Sequence, residues 1–198
     1  MEQSAIQQLR NKELNFVEKM NLMRAHYESN YKSNSSTPYM ISTSVIYQAT
    51  AQEIPEEAKA ITNKFKNSFN QLNTDEETFL KKITNEYISH KISKKYFMNL
   101  MKKTLSNSIK RAMKNINEFY YGMMEAGSKN PQSQEAILIK TAVVSDFLFH
   151  TLRKINKFVG ILTKNIASFV QKATDIIQEV FNDIADSVSS FFSDLYYC

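Results

Sequence analysis

Side chains that could do chemistry are few in this chain, and they stand apart from one another. Each of the three histidines, His26, His90 and His150, could serve as a base or a metal ligand, but none has a cysteine or second histidine at metal-ligand spacing. The single cysteine, Cys198, has no partner for an intramolecular disulfide. There is no G-x-S-x-G elbow, and three glycines are too few for a phosphate-binding loop. We therefore expect no catalytic, metal, cofactor or small-molecule site.

Cations form the strongest polar cluster in the sequence. Residues 61–115 hold twelve basic and four acidic residues, a net charge of +8. The cations that lie beside or opposite an apolar helix face are Lys102, Lys103, Lys110, Arg111 and Lys114. A solvated helix face explains them most simply, and a surface for an anionic membrane or another polyanion is the alternative. Nucleic acid is the less favoured partner, because arginine is scarce and no recognisable nucleic-acid module is present.

The C-terminal end has the opposite charge. Residues 175–198 hold five acidic residues and no basic one. These acids alternate with apolar positions and are Asp175, Glu179, Asp183, Asp186 and Asp194. We expect a basic neighbour to pair with them, supplied either by residues 94–115 of the same chain or by another subunit.

Composition favours helices as the elements that position these charges. The chain has 198 residues, 42% of them apolar, which is enough to bury a core. Three glycines and three prolines argue against a fold rich in turns and strands. The surplus of lysine, asparagine and isoleucine is typical of AT-rich genomes, such as those of host-associated bacteria or viruses.

A ladder of apolar residues in the C-terminal third is the clearest pattern in the sequence. Its spacing alternates between four and three, which predicts a helix packed lengthwise against another helix. The predicted helix-packing seam consists of Leu148, Leu152, Ile155, Val159, Leu162, Ile166, Phe169, Ala173, Ile176 and Val180.

Four segments follow from these patterns and from the turn formers between them. They are an N-terminal amphipathic helix at 1–32, a linker or short element at 33–54, a central basic helical region at 55–126, and a long C-terminal amphipathic helix with the acidic tail at 131–198. The fold class is all-α: an elongated helical bundle with a long, heptad-patterned C-terminal helix that resembles a coiled-coil helix.

Local signals set the expected helix ends. Thr74 and Glu77 have the spacing of a capping box, which would start a new helix. Ser93 either caps a separate helix or lies within a fused one. Gly127 is expected to end the central region, and Asn130 with Pro131 to begin the last helix.

The last helix is so long that either it breaks, with Gly160 the best local candidate, or the molecule is a rod. Its apolar stripe also shifts towards the end, to Ile177, Phe181, Ile184, Val188, Phe191 and Leu195. Aromatic residues gather at this end and predict an exposed docking surface of Phe191, Phe192, Tyr196 and Tyr197.

Two classes of function, neither enzymatic, agree best with these features. The first is a helical interaction or structural protein that binds a protein partner or itself through its long helices. The alternative is a membrane-active effector or translocator-type protein that uses the amphipathic C-terminal helix and is exported without a Sec signal. The first residues lack the apolar core of a signal peptide, and no apolar run reaches the roughly 18 residues of a transmembrane helix. We therefore expect synthesis as a soluble protein, with signal-less export or delivery into a host as an option.

Overall fold

The computed structural model describes residues 13–32, 53–169 and 172–197. Five α-helices occur in this part of the chain: α1 Phe16–Lys32, α2 Glu56–Ile88, α3 Lys94–Lys129, α4 Gln134–Phe169 and α5 Ala173–Tyr197. A short 3-10 helix, Pro131–Ser133, precedes α4, and the described residues contain no strand. The predicted all-α helical bundle is confirmed.

A capping box sets the start of helix α1 in the described part of the chain. Within the described residues the helix starts at Phe16, because a capping box closes its first turn. The Asn15 side-chain oxygen accepts a hydrogen bond from the Glu18 amide at 3.0 Å, and the Glu18 carboxylate accepts one from the Asn15 amide at 2.8 Å. Residues 1–12 and most of the predicted linker at 33–54 lie outside the described residues.

Helix α2 runs without interruption through the position where a new helix was expected. The prediction of a capping box at Thr74 is wrong, since the Thr74 hydroxyl donates to the Asn70 carbonyl inside the helix at 3.1 Å. The buried residues Leu72 and Leu80 lie on either side of this position. Burial of the apolar face therefore outweighs the local capping signal.

A tight turn separates α2 from α3. The Lys91 amide donates to the Glu86 carbonyl at 2.9 Å and the His90 amide to the Tyr87 carbonyl at 3.0 Å, the two bonds of a Schellman motif. His90 occupies its left-handed position with φ of 56°. The Ser93 side chain then caps α3 by accepting a hydrogen bond from the Tyr96 amide at 3.2 Å. Of the two options left open for Ser93, the separate helix is the one observed.

Gly127 does not end α3, contrary to the prediction. The helix continues to Lys129, and Gly127 is buried where a Cβ atom would collide with the Phe16 ring. The glycine is needed for this close approach of α1, not for a left-handed turn. Asn130 also makes no side-chain cap for the following element; it donates instead to the Ala126 carbonyl at 2.9 Å.

The predicted seam is buried along α4. Leu148, Leu152, Ile155, Val159, Leu162 and Ile166 are all at most 5% exposed. Helix α4 passes through Gly160 without a break, so the expectation of a break there is wrong. The helix ends at Phe169, whose side chain lies outside the described part, and α5 begins at Ala173.

The buried stripe changes position in α5. Ala173 is buried, but the last two residues of the predicted seam, Ile176 and Val180, are only half-buried. The buried residues are Ile177, Phe181, Ile184, Val188, Phe192 and Leu195. The predicted shift thus occurs, except that Phe192 is buried where Phe191 was expected. Because α5 is a separate helix, its buried side need not follow the spacing of α4. The four-and-three ladder therefore does not continue from α4 into α5.

The chain divides into two compact units, which we describe separately. Unit 1 comprises the described parts of Met1–Phe65, Asn115–His150 and Ser193–Cys198. In it, the Tyr27 hydroxyl donates to the Asp146 carboxylate at 2.9 Å and its ring stacks on Phe149 at 4.9 Å. The buried Lys140 ammonium donates to the Leu195 carbonyl in the last turns of α5 at 3.2 Å.

Unit 2 comprises Lys66–Lys114 and the described parts of Thr151–Phe192. Helix α2 packs on α3 through stacked Tyr87 and Phe97 rings, 4.9 Å apart. Helix α2 also contacts α5, where the Thr174 hydroxyl donates to the Asn85 side-chain oxygen at 3.0 Å. Helices α4 and α5 meet at the Phe158 and Phe181 rings, which lie 6.4 Å apart.

Two of the three helical glycines, Gly127 and Gly160, should respond in opposite ways to alanine. We expect Gly160→Ala to stabilise the protein by about 0.5–1 kcal/mol, since the added methyl group meets no atom within 4 Å and alanine is the better helix former. Gly127→Ala should destabilise it because of the collision with Phe16. Thermal melts by circular dichroism measure both. A lower melting temperature for Gly160→Ala would contradict the uninterrupted helix.

The buried seam provides a second comparison. Leu162 is 1% exposed, so Leu162→Asp should place an unpaired charge in the apolar core and cost about 3 kcal/mol or more. Lys164→Asp, two residues away on the exposed side, should cost well under about 1 kcal/mol. Denaturant unfolding followed by circular dichroism measures both. Equal stability of the two variants would show that this side of α4 is not packed.

Candidate interaction surface

The cations singled out in the sequence all lie on exposed positions of α3. At 100° per residue, Lys103, Lys110 and Lys114 share the side of the helix opposite the buried Met101 and Ala112. Lys102 and Arg111 flank this row. We call Lys103, Lys110 and Lys114 the basic stripe; it extends over eleven residues, about 17 Å along the helix.

Arg111 differs from the lysines because its charge is already paired. Its guanidinium group donates to the Asp75 carboxylate of α2 at 2.5 Å. This hydrogen bond, together with one from Gln71, holds the pKa of Asp75 below its ordinary value. No ion pair among the described residues includes Lys102, Lys103 or Lys110. The Arg111 charge thus contributes to the contact between α2 and α3.

The acids of α5 form a second stripe of opposite sign. Asp175, Glu179, Asp183 and Asp186 are all exposed and lie on the side of α5 opposite Ile177 and Ile184. We call these four residues the acidic stripe; it also spans eleven residues, about 17 Å. No ion pair among the described residues includes them, so the expected pairing with residues 94–115 of the same chain is not made.

Helix α2 contacts both of the helices that carry the stripes. Within unit 2 it contacts α3 through the Asp75 ion pair, and it contacts α5 where Lys81 donates to Gln178 at 3.2 Å. Each stripe lies opposite the buried face of its own helix. Each stripe is therefore exposed to solvent.

Helix α4 also presents lysines to solvent. Lys154, Lys157 and Lys164 are exposed on the side opposite the buried seam, together with Ile161, which is 43% exposed. The apolar stripe considered for membrane binding lies on the buried side, so this arrangement of helices does not present it to a bilayer. None of the described helices is long and apolar enough to cross a membrane.

The predicted aromatic docking surface does not form as one exposed set. Phe192 is only 1% exposed, because it is part of the buried stripe of α5, and the Lys66 ammonium lies 5.9 Å from its ring centre. Phe191 is half-buried and meets Phe192 edge-on at 5.2 Å. The side chains of Tyr196 and Tyr197 lie outside the described part of the structure.

One buried acid was not singled out by the sequence. Glu76 follows Asp75 on α2 and is 7% exposed. Burial raises the pKa of Glu76 above its ordinary value, although a hydrogen bond with Ser108 and the nearby Arg111 charge oppose the rise. In the sequence, Glu76 resembles its neighbours; only the packing of α2 against α3 sets it apart.

The histidines occupy unrelated positions. His26 is half-buried and meets Tyr27 edge-on at 5.7 Å, His90 lies in the turn between α2 and α3, and His150 is exposed on α4. Among the described residues, no group of three or more His, Cys, Asp or Glu side chains could hold a metal ion. No family model, curated protein or solved structure matches the chain.

Glu76 generates a prediction of pH-dependent stability. Because its pKa is raised in the folded state, its ionised form destabilises the fold at neutral pH, and this cost is relieved as the pH falls through the folded-state pKa. We expect Glu76→Gln to stabilise the protein by roughly 0.5–1 kcal/mol at pH 7. The difference in unfolding free energy between Glu76→Gln and the wild type should shrink as the pH falls towards 4.5, the ordinary pKa of a glutamate side chain. Urea unfolding at several pH values measures it, and a constant difference would exclude this explanation.

Proposed function

We propose that this chain is a non-enzymatic helical interaction protein that assembles with other copies of itself through charged helix faces. The observation that carries the proposal is the pair of exposed stripes of opposite sign in unit 2. Asp183 and Asp186 on α5 and Lys103 and Lys110 on α3 have no ion-pair partner among the described residues.

Charge, and not apolar contact, drives the proposed association. The seam residues of α4, which the sequence suggested as an assembly surface, are buried in the protein's own core and offer nothing to a second molecule. The exposed large apolar residues of the described part lie apart on α1, α3 and α4: Val17, Leu22, Tyr96, Tyr121 and Ile161. Such scattered residues are ordinary on protein surfaces and make no docking patch.

The size of the effect limits what the assembly can be. An exposed ion pair contributes about 0.2–1 kcal/mol, so three or four pairs supply only a few kcal/mol. That free energy corresponds to a dissociation constant on the order of a millimolar for one contact. We therefore expect weak, reversible association that becomes appreciable at high local concentration.

Two other functions fit the same surface less well. A polyanion such as nucleic acid would use the lysines of α3 and α4, but the acidic stripe of the same unit would repel it. A membrane-active protein would have to withdraw the α4 seam from the core before that stripe could enter a bilayer. Export without a signal peptide is compatible with the proposal and is not needed for it.

Sedimentation velocity of the full chain tests the proposal. Salt screens exposed charges, with a Debye length of about 10 Å at 0.1 M and about 3 Å at 1 M. We expect the weight-average sedimentation coefficient to rise with protein concentration at about 0.05 M salt and to stay at the monomer value at about 1 M salt.

Two outcomes would overturn the proposal. One is a monomer at every concentration in low salt. The other is association that strengthens with salt, as expected for apolar contact. A DNA duplex serves as the comparison ligand: salt-sensitive binding to the duplex without self-association would place the protein among nucleic-acid binders.

A further inference from the structure

We infer that α5 is an exchangeable helix: in a second, dimeric form of the protein, α5 of each copy packs on α2 and α4 of the other copy. This inference goes beyond the proposed function, since it replaces a contact within the chain by the same contact between two chains and needs no charged face. Three features carry it: the pairing of α2 with α5, the short connection between α4 and α5, and the apolar ladder that runs through both helices.

Helices α2 and α5 run antiparallel in unit 2. The Lys81 ammonium donates to the Gln178 side chain at 3.2 Å. Earlier in α2, the Lys66 ammonium lies 5.9 Å from the ring centre of Phe192, later in α5. The part of α2 between these two lysines therefore passes along the middle of α5. The buried residues there are all apolar: Phe181, Ile184 and Val188.

The middle of α2 brings polar side chains to this apolar stripe without pairing them. Asn73 is 4% exposed, and neither its side-chain oxygen nor its side-chain nitrogen has a hydrogen-bond partner. The side-chain oxygen of Asn70 and the hydroxyl of the buried Thr84 are also unpaired. At 100° per residue, the three lie within about 60° of one another, on the side of α2 that carries Lys66 and Lys81. Departure of α5 lets water reach these groups, so this contact is held less firmly than an apolar contact of the same extent.

The connection between α4 and α5 is short. Helix α4 ends at Phe169 and α5 begins at Ala173, so three residues separate them. The two helices fold back on each other, because the Phe158 and Phe181 rings lie 6.4 Å apart, whereas 23 positions would span about 35 Å along one straight helix. Short hinge connections favour exchange, since straightening the hinge lets the second helix reach another copy and remake every contact of the pair.

The apolar ladder of the sequence fits straightened helices better than the folded-back pair. Its spacing alternates between four and three across the connection, from Leu162 through Ile166, Phe169 and Ala173 to Ile176 and Val180. In the folded-back pair Ile176 and Val180 are only half-buried, and Ile177 and Phe181 are buried in their place. With α4 and α5 in line, Ile176 and Val180 extend the seam of α4 and give two exchanging copies a shared apolar strip. The exchanged form thus uses a pattern that the monomer leaves half-exposed.

A cysteine pair distinguishes the two forms. The Thr174 hydroxyl donates to the Asn85 side chain across the contact between α5 and α2, so Thr174→Cys and Asn85→Cys place two thiols close together. The natural cysteine is removed by Cys198→Ser. The resulting disulfide lies within one chain in the monomer and joins two chains in the exchanged dimer. The full chain is unfolded under reducing conditions, refolded at low micromolar or near-millimolar protein concentration, and oxidised. Non-reducing gel electrophoresis then separates the two products.

We expect the share of disulfide-linked dimer to rise with the protein concentration during refolding. The wild type refolded at the higher concentration should also elute from gel filtration as a dimer at about 1 M salt, where exposed charges are screened. The control is each single-cysteine variant, Asn85→Cys or Thr174→Cys, also with Cys198→Ser. Neither should form dimer beyond random oxidation, because exchange brings position 85 of one copy to position 174 of the other.

Further variants test the two causes of exchange. Asn73→Leu replaces the unpaired side chain by an apolar one of similar volume, which should hold α5 in place and lower the dimer share at least about threefold. Insertion of Gly-Ser-Gly-Ser after Lys172 relaxes the hinge and breaks the ladder, which should lower the share at least about tenfold. The same insertion after Lys91, in the exposed turn between α2 and α3, is the matched control and should leave the share within about twofold. Circular dichroism melts establish that each variant folds.

The outcomes separate this inference from the proposed function. Only intrachain disulfide after refolding at the higher concentration, with a monomer at about 1 M salt, overturns the exchange. Charge-driven association of the monomer at low salt is measured without refolding and is unaffected by that result. A salt-resistant dimer whose disulfides all lie within one chain also overturns the exchange, as does the absence of any disulfide. Equal dimer shares for the two insertion variants would contradict the role of the connection between α4 and α5.

Discussion

Burial of one apolar stripe along each helix is the constraint on which the other features of this protein depend. Helices α3 and α4 are 36 residues each, and each presents an apolar side that water disfavours. The seam of α4 is buried within the chain, which leaves its opposite side exposed. Whatever the monomer binds must therefore contact the outward faces, and in unit 2 those of α3, α4 and α5 carry charge.

The core that satisfies this constraint is not uniformly apolar. In unit 1 the buried Tyr120 hydroxyl shares a hydrogen bond with Ser145 at 2.8 Å. In unit 2 the buried Asn73 side chain has neither polar atom paired, and the Thr84 hydroxyl is also unpaired. An unpaired buried polar group costs about 1–3 kcal/mol. Burial of these polar side chains and of Glu76 in the second half of α2 therefore costs more free energy than burial of the neighbouring Leu72 and Leu80.

Some of the surface charges of unit 2 form ion pairs between helices, and others do not. The ion pair of Arg111 and Asp75 joins two helices of unit 2 and removes both charges from the exposed pattern. Lys103 and Lys110 on the same helix belong to no ion pair among the described residues. The position of α2 thus decides which cation of α3 contributes to the contact between the two helices.

The errors of sequence interpretation share one cause. Thr74 has the correct spacing for a cap, Gly127 the correct residue type for a terminator, and Gly160 the correct type for a break, yet all three lie inside helices. Capping and propensity act within one turn and are worth about 1 kcal/mol. Packing of a long apolar face contributes more, and it maintains the helix through these positions. Ser93 follows its local signal, since α2 has already ended at Ile88 and the Ser93 side chain caps α3.

The sequence by itself determined that the chain is all-α, that the stripe from Leu148 to Ile166 faces inward, and that α3 is basic and α5 acidic. These are local properties, because helical periodicity and charge are read from residues close together in the chain. Only the tertiary structure decided that Arg111 pairs with Asp75, that Phe192 and not Phe191 is buried, and that the acidic stripe forms no ion pair among the described residues. Those outcomes depend on distances between residues on different helices, and such distances are set by how the helices pack.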